Sequence, residues 1–323
     1  MLLDNNKIGG NGNSAAVNVS GHAKIKEKFF TRKRFRPYWG MVWILPAIII
    51  MLIFSYYPPI SALIHAFTDW DGTNAKFIGV ANFQELFADS LFWRSCLTMV
   101  ITTVGCMLLG NIMTIIHAEM MYGLRSRKMS AFFRFMYVLP ALVPGIVTLM
   151  LWGKVILSGS PSGVANVILG VFGVEPIGWF YQESTVILSF FIYGFPYVGG
   201  TSFLIYLAGL NNISEEIIEA SKLDGISTVK RIFYIDLPLI KGQIKYFLVL
   251  GLIGGIQSYT IQYAITNGGP GLNYPSMVPG YYMYMQALNN SRYGYACAVG
   301  FVLFVVILVI TIINNKFIKT DES

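Results

Sequence analysis

Long apolar runs alternate with shorter polar stretches along this chain, and each run is about as long as a helix must be to cross a bilayer. The first is Tyr38–Tyr57 (YWGMVWILPAIIIMLIFSYY), and its pattern continues past Pro58 and Pro59 to about Phe67. The others lie near 95–118, 135–157, 185–210, 246–267 and 295–315. Six runs predict six transmembrane helices and an all-α integral membrane fold, since a helix satisfies its backbone within itself. Charge is nearly absent inside the runs. Lys154 is the exception, near the end of the third, where a long side chain can reach the interface.

The polar stretches set the direction. The tail before the first run carries eight Lys and Arg, the 120–134 stretch four, the 211–245 stretch five and the C-terminal tail two. The alternate loops hold only Lys76, in 68–92, and Arg292, in the third, with none in 158–184. A 19-to-2 split predicts a multi-pass plasma-membrane protein with both termini and the 211–245 stretch in the cytoplasm. Residues 1–37 then form a basic cytoplasmic tail. Its first 23 residues, rich in Asn, Gly and Ser, are expected to be disordered, and Lys24–Arg36 is placed to meet lipid headgroups. The long polar lead favours a retained first helix over a cleaved signal peptide. Residues 38–92 make the first helix and an outer loop, and 316–323 a second cytoplasmic tail.

Composition agrees and narrows the function. The chain has 323 residues, 55% apolar and 12% charged, with mean hydropathy +0.59. The net charge of +7 flanks the apolar runs and forms no surface stripe, so no nucleic-acid partner is implied. Cys96, Cys106 and Cys297 lack paired spacing and read as small buried hydrophobes. His22, His65 and His117 are scattered, so no metal site is expected. No phosphate-binding loop of the GxxxxGK[ST] kind occurs, and no catalytic residue is predicted.

The cytoplasmic stretch EASKLDGISTVKRIFYIDLP (219–238) is built differently from its surroundings. Asn212 or Ser214 can cap a helix whose first turn holds Glu215 and Glu216. Glu215, Glu219 and Lys222 share one face, and Ile213, Ile217 and Ala220 another. Asp224-Gly225 breaks that helix. Ser227 can cap a second, with Val229, Ile232 and Phe233 on one side and Lys230 and Arg231 opposite, and Pro238 ends it or starts the next element. Two short capped amphipathic helices suit docking to a partner better than a solvated loop.

The same stretch resembles the signature of binding-protein-dependent ABC importer permeases: Glu-Ala-Ala, three residues, Gly, nine residues, Ile, one residue, Leu-Pro. Glu219, Ala220, Gly225, Ile235, Leu237 and Pro238 stand at that spacing, with Asp224 as in the sugar-importer version. Ser221 replaces the second Ala, and Ile226 and Ile232 replace a usual Ala and Phe. TNGGPG (266–271), RYGYACAVG (292–300) and FTDWDG with FIGVANF (67–83) resemble further parts of the carbohydrate group. The resemblance implies a type I ABC importer (MetI-like) permease fold, with its core at 93–315 and coupling helices at 213–236. It implies a second homologous permease subunit, usually in a heterodimer, two ATPase subunits that bind the ATP and Mg, and an extracellular lipid-anchored solute-binding protein. It implies ATPase coupling through Glu219, Ala220, Asp224, Gly225, Ile235 and Pro238, and no cofactor bound by this chain.

The interior speaks to the solute. No Asp or Glu stands in the middle of a run, as a proton-coupled carrier would need, and no channel filter pattern is evident. Gln257, Ser258, Tyr259, Thr260, Gln262 and Tyr263 make the fifth run the most polar, and the fourth offers Tyr193 and Tyr197. Amides, hydroxyls and aromatic faces suit a neutral polyhydroxylated solute. Packing between helices is the competing role for each residue. We therefore expect Gln257, Tyr259, Gln262, Tyr263, Tyr193 and Tyr197 to include pathway residues, with 259 and 263 on one helical face. An importer of another solute, such as a glycerol phosphate, and an ATP-independent secondary carrier are the alternatives.

Overall fold

A computed structural model describes residues 36–124, 126–197, 200–265 and 275–317. Residues 1–35 of the expected tail 1–37, residues 318–323 of the expected tail 316–323, and the 266–271 stretch lie outside them. The chain divides into two compact units at Tyr56. The first holds helix α1 (Arg36–Met51), with Pro46 inside it, and a wide π-type turn, Leu52–Tyr56.

The second unit begins with α2 (Tyr57–His65) and a small antiparallel hairpin, β1 (Thr68–Trp70) and β2 (Ala75–Phe77), which pairs Thr68 with Phe77 and Trp70 with Ala75. The expectation of an all-α chain is corrected here. Asp71 makes the turn: its carboxylate accepts from the Asn74 amide at 2.7 Å, the Thr73 amide at 2.8 Å and the Thr73 hydroxyl at 2.9 Å. These donors hold the exposed Asp71 carboxyl well below the usual carboxylate range. Then come α3 (Ala81–Ala88), capped by none of its neighbours' side chains, and α4 (Ser90–Tyr122), where Asp89 accepts from the Leu91 amide at 2.7 Å. α4 is 33 residues long, about 50 Å end to end.

α5 (Arg127–Val138) and a 3-10 turn at Leu139–Leu142 bend by 85° into α6 (Gly145–Met150), which widens into a π-type segment, Leu151–Ile156. Pro140 and Pro144 at the bend remove two backbone donors. α7 (Val164–Gly170), α8 (Val186–Ile192) and α9 (Gly200–Asn211) follow, then α10 (Glu215–Leu223), α11 (Thr228–Arg231), a π-type turn Ile232–Asp236 and α12 (Leu237–Leu239). α13 (Lys241–Gln257), α14 (Thr260–Ile265), α15 (Pro279–Tyr284), a π-type turn Met285–Asn289 and α16 (Tyr293–Phe317) complete the described chain.

Among the described residues three helices are long and apolar enough to span a bilayer: Val42–His65, Ser90–Tyr122 and Tyr293–Asn314. Two bent pairs, Arg127–Leu142 with Gly145–Ile156 and Thr228–Leu239 with Lys241–Gln257, raise the number to five. The six expected continuous helices are therefore not all continuous. The fourth run parts at Tyr193–Tyr197, where Gly194 and Tyr197 have φ of 83° and 58° and Pro196 has no amide hydrogen to donate. The fifth parts at Ser258 and Tyr259, Ser258 being extended at ψ 131°. Lipid-sized apolar side chains stay uncovered along the spans, among them Leu97, Leu142 and Ile312, as a bilayer-facing surface allows.

α4 is the central strut. It packs against α13, α9 and α8. The α13 contact is made through glycine: a Cβ at Gly255 would stand 2.2 Å from Cγ2 of Thr103, and one at Gly251 2.7 Å from Cγ of Met107. Near the start of α4, Leu86, Phe92 and Met99 share a core with Tyr281, Tyr282, Tyr295 and Val299. Near its end, Ala118 and Met121 share another with Phe203, Tyr206, Leu210 and Ile240. A third core joins Leu149 and Leu157 to Trp179, Phe180 and Ile265.

Candidate functional site

Two features are candidates for the functional site. The first is the polar insert between α9 and α13. α10 and α11 form where their sequence signals place them. Ser214 and Ser227 take extended backbone at the two N-caps, without a side-chain hydrogen bond, and Glu215 and Glu216 occupy the first turn of α10. The break is a Schellman turn: the Ile226 amide donates to the Ser221 carbonyl at 3.1 Å and the Gly225 amide to the Lys222 carbonyl at 3.1 Å, with Gly225 at φ +67°. Ser221, in the place of a usual alanine, is buried, and its hydroxyl donates to the Ile218 carbonyl at 2.7 Å. Glu219, Ala220, Asp224 and Pro238 are exposed, and Ile235 is half-buried. Leu223 is 89% exposed, and Val229, Phe233 and Tyr234 are exposed with it. The insert thus presents carboxylates and a set of apolar side chains that no described residue of this chain covers.

The second feature is a cavity of about 760 Å³ bordered by α4, the α5–α6 bend, the 194–197 break, α9 and α13. Its polar lining is Asn111, Thr114, Thr148, Tyr197 and Ser202, with Trp152 as an aromatic wall, and among the described residues no charged one lines it. Asn111 is fixed by two bonds: its amide donates to the Met107 carbonyl at 2.8 Å, and its Oδ1 accepts from the Tyr206 hydroxyl at 2.7 Å. Tyr197 donates its hydroxyl to the Phe191 carbonyl, which leaves its ring to the cavity wall. A smaller cavity of about 260 Å³, sharing Cys106, Met107 and Gly251 with the first, is lined by Thr102, Ser258 and the buried Gln262.

A family model described as "Binding-protein-dependent transport system inner membrane component" matches residues 110–319. The chain belongs to that family. It is 28% identical to the multiple sugar-binding transport system permease protein MsmF of Streptococcus mutans, over 90% of this chain and 99% of that one. It is 32% identical to the probable ABC transporter permease protein YesP of Bacillus subtilis, over 86% and 89% of the two chains. In the crystal structure of a bacterial ABC transporter involved in the import of the acidic polysaccharide alginate, one chain superposes with a TM-score of 0.73. The match covers 89% of this chain and 99% of that one, at 24% identity, and it carries the fold.

Within this permease frame the sequence-predicted pathway residues separate. Tyr197 and Gln262 line the two adjoining cavities. Tyr193 stands edge-on to Trp152, with ring centroids 6.1 Å apart. Tyr259 and Tyr263 do share a face, since the Tyr263 amide donates to the Tyr259 carbonyl at 3.0 Å, but both rings meet Tyr284, at 5.8 and 5.1 Å. Tyr259 faces a different, apolar pocket of about 460 Å³. Gln257 ends α13 and is exposed. Asn111, Thr114, Thr148 and Trp152 escaped the sequence reading because each is a lone polar or aromatic residue in an apolar run. Lys154 donates Nζ to the Ile265 carbonyl at 3.0 Å, and the Tyr181 hydroxyl donates to the same oxygen at 2.8 Å. Partial burial pushes the Tyr181 phenol above its ordinary value. A cation at the carboxyl end of α14 is where the helix dipole favours it.

Proposed function

We propose that this chain is the membrane-spanning permease subunit of an ATP-driven importer for a sugar or oligosaccharide. It forms half of the translocation pathway, beside a second homologous permease. It crosses the membrane six times with both termini in the cytoplasm, the broken 186–211 segment counting as one crossing. Two ATPase subunits bind the ATP and Mg, and an extracellular lipid-anchored binding protein delivers the solute. The two-helix insert carries this reading. Its exposed Glu219, Leu223, Phe233 and Tyr234 offer one carboxylate and a compact apolar set to a docking cleft. Glu219, Ala220, Asp224, Gly225, Ile235 and Pro238 couple that docking to the spans.

The sugar reading is supported by the names of relatives and by the uncharged, hydroxyl- and amide-bearing cavity. A glycerol phosphate would leave a buried anion without a counter-charge there, which favours a neutral solute. The test is to purify the tagged chain from membranes of its own cell and identify what comes with it. A second permease and a nucleotide-binding subunit should co-purify, and uptake of labelled oligosaccharides should be blocked by vanadate. A chain isolated without a nucleotide-binding subunit, with vanadate-resistant uptake, would overturn the proposal and favour an ATP-independent carrier.

A further inference from the structure

Where the insert meets the end of α4, Arg231 is paired with one buried acid and lies within electrostatic reach of a second. Asp236 is fully buried, and its Oδ2 accepts from Nε of Arg231 at 3.0 Å. The two residues are five apart across the π-type turn Ile232–Asp236, the spacing at which such a turn brings side chains to one face. The Arg231 guanidinium also lies over the Tyr122 ring, 5.5 Å from its centroid. One turn back on α4 is Glu119, within electrostatic reach of both Arg231 and Asp236. Among the described residues neither oxygen of Glu119 has a hydrogen-bond donor, nor does Oδ1 of Asp236, and all three atoms are buried. The sequence reading missed Glu119 because the second apolar run ends at 118, whereas α4 continues to Tyr122.

A buried carboxylate without a partner is costly, and removing one member of a buried pair is worse than never having had it. A guanidinium has five donors in a planar fork, and only Nε is used on Asp236. We propose that Arg231 is a positioning residue of the transport cycle, a single guanidinium passed between Asp236 on the insert and Glu119 on α4. It is bonded to Asp236 in the arrangement described here and to Glu119 when the insert has moved. Each arrangement satisfies one acid and leaves the other short, so neither dominates strongly, and a small push on the insert shifts the pair. α4 packs against α8, α9 and α13, so the exchange would carry that push into the central strut. This inference rests on the importer reading.

The probe is dicyclohexylcarbodiimide, which modifies a buried protonated carboxyl and not one held in an ion pair. The assembled transporter in nanodiscs is labelled without nucleotide and after trapping with ATP and vanadate, and Glu119 modification is read by mass spectrometry. Labelling of Glu119 should differ by about tenfold between the two states. That difference should vanish in Arg231→Met and persist in Arg231→Lys, which keeps the charge. Equal labelling in the two states of the wild-type complex would overturn the exchange and leave Arg231 as a fixed structural tie. So would a difference that persists in Arg231→Met. Failure of the complex to trap nucleotide at all would instead overturn the importer reading beneath it.

Discussion

Gly225 shows how one residue can decide the shape of the insert. A Cβ built there meets nothing within 4 Å, so space does not forbid a larger residue; the backbone does, at φ +67°. Valine would cost about 1–2 kcal/mol in that conformation, while asparagine adopts it readily. Gly225→Val should therefore reach the membrane and assemble, yet lose most ATPase stimulation, and Gly225→Asn should keep most of it. Side-by-side hydrolysis rates of the two purified complexes check this, and equal stimulation in both would remove the turn from the coupling mechanism. The cavity residues permit a second comparison. Gln262 and Tyr197 border cavities, whereas Gln257 ends α13 on an exposed face. Alanine at 262 or 197 should raise the apparent KM for uptake by up to roughly tenfold, the worth of one lost hydrogen bond or stacking contact, and alanine at 257 should leave it unchanged. An unchanged KM at all three positions would move the solute contacts to the partner permease.

At the level of elements, the α4–α13 contact makes a sharp contrast between neighbouring glycines. Gly255 lies against Thr103 with no room for a Cβ, and Gly254, one residue earlier, has nothing within 4 Å. Gly255→Leu should cost about 1–3 kcal/mol through overpacking, read as a shorter half-life of the detergent-solubilised protein at elevated temperature, while Gly254→Leu should match wild type. If both shorten it equally, the close approach is not what holds these helices. The same elements show what the sequence makes legible. The insert could be read almost residue by residue, because Ser214, Asp224-Gly225 and Ser227 are local signals for local geometry. The glycines of α13 are visible in the sequence, but their spacing does not say which of them faces α4. The break at Ser258 has no proline or glycine to mark it, and polarity there looked like a continuous stripe. The break in the fourth run did have marks, Gly194 and Pro196, but a run of apolar residues on both sides outweighed them. The hairpin was announced by Asp71-Gly72, yet strands of three residues carry too little alternation to be seen. The cavity was least legible, since its lining is collected from five segments far apart in sequence.

The whole molecule sorts its connections to opposite ends of α4. At the start of that helix Arg94 reaches Glu183 at 3.3 Å, the Tyr282 hydroxyl donates to Asp89 at 2.5 Å, and nearby Glu85 and Arg292 form a two-bond ion pair at 2.8 and 2.6 Å. The ion pair and this geometry hold the Arg292 guanidinium above its ordinary value. These contacts gather the first, second and third expected outer loops at one end. At the other end, Ala118 and Met121 pack with Leu210 and Ile240, which flank the insert, and Arg231 lies over Tyr122. The two ends are about 50 Å apart along α4, more than the thickness of a bilayer's hydrocarbon core. A chain that stands at one end at 90, 183, 282 and 293 and at the other at 122, 210 and 240 must pass between them each time the end changes. The broken 186–211 segment joins Glu183 at one end to Leu210 at the other, and in the proposed topology it counts as one crossing although no single helix in it is long enough. Kinked or interrupted spans are tolerated where neighbouring protein satisfies the freed backbone, as the Tyr197 hydroxyl does for the Phe191 carbonyl. Together with the 19-to-2 distribution of basic residues, this yields a specific map. Single cysteines placed at Asp71, Ser160 and Asn290, in a variant whose three native cysteines are serine, should react with a membrane-impermeant maleimide added to intact cells. Cysteines at Lys128, Lys222 and Leu223 should react only after the membrane is opened. A cysteine at 222 labelled from outside would invert the orientation and remove the insert from the reach of any cytoplasmic ATPase. A cysteine at 160 protected from outside while 71 is labelled would show that the bent 127–156 segment re-enters on its own side, and the crossing number would fall.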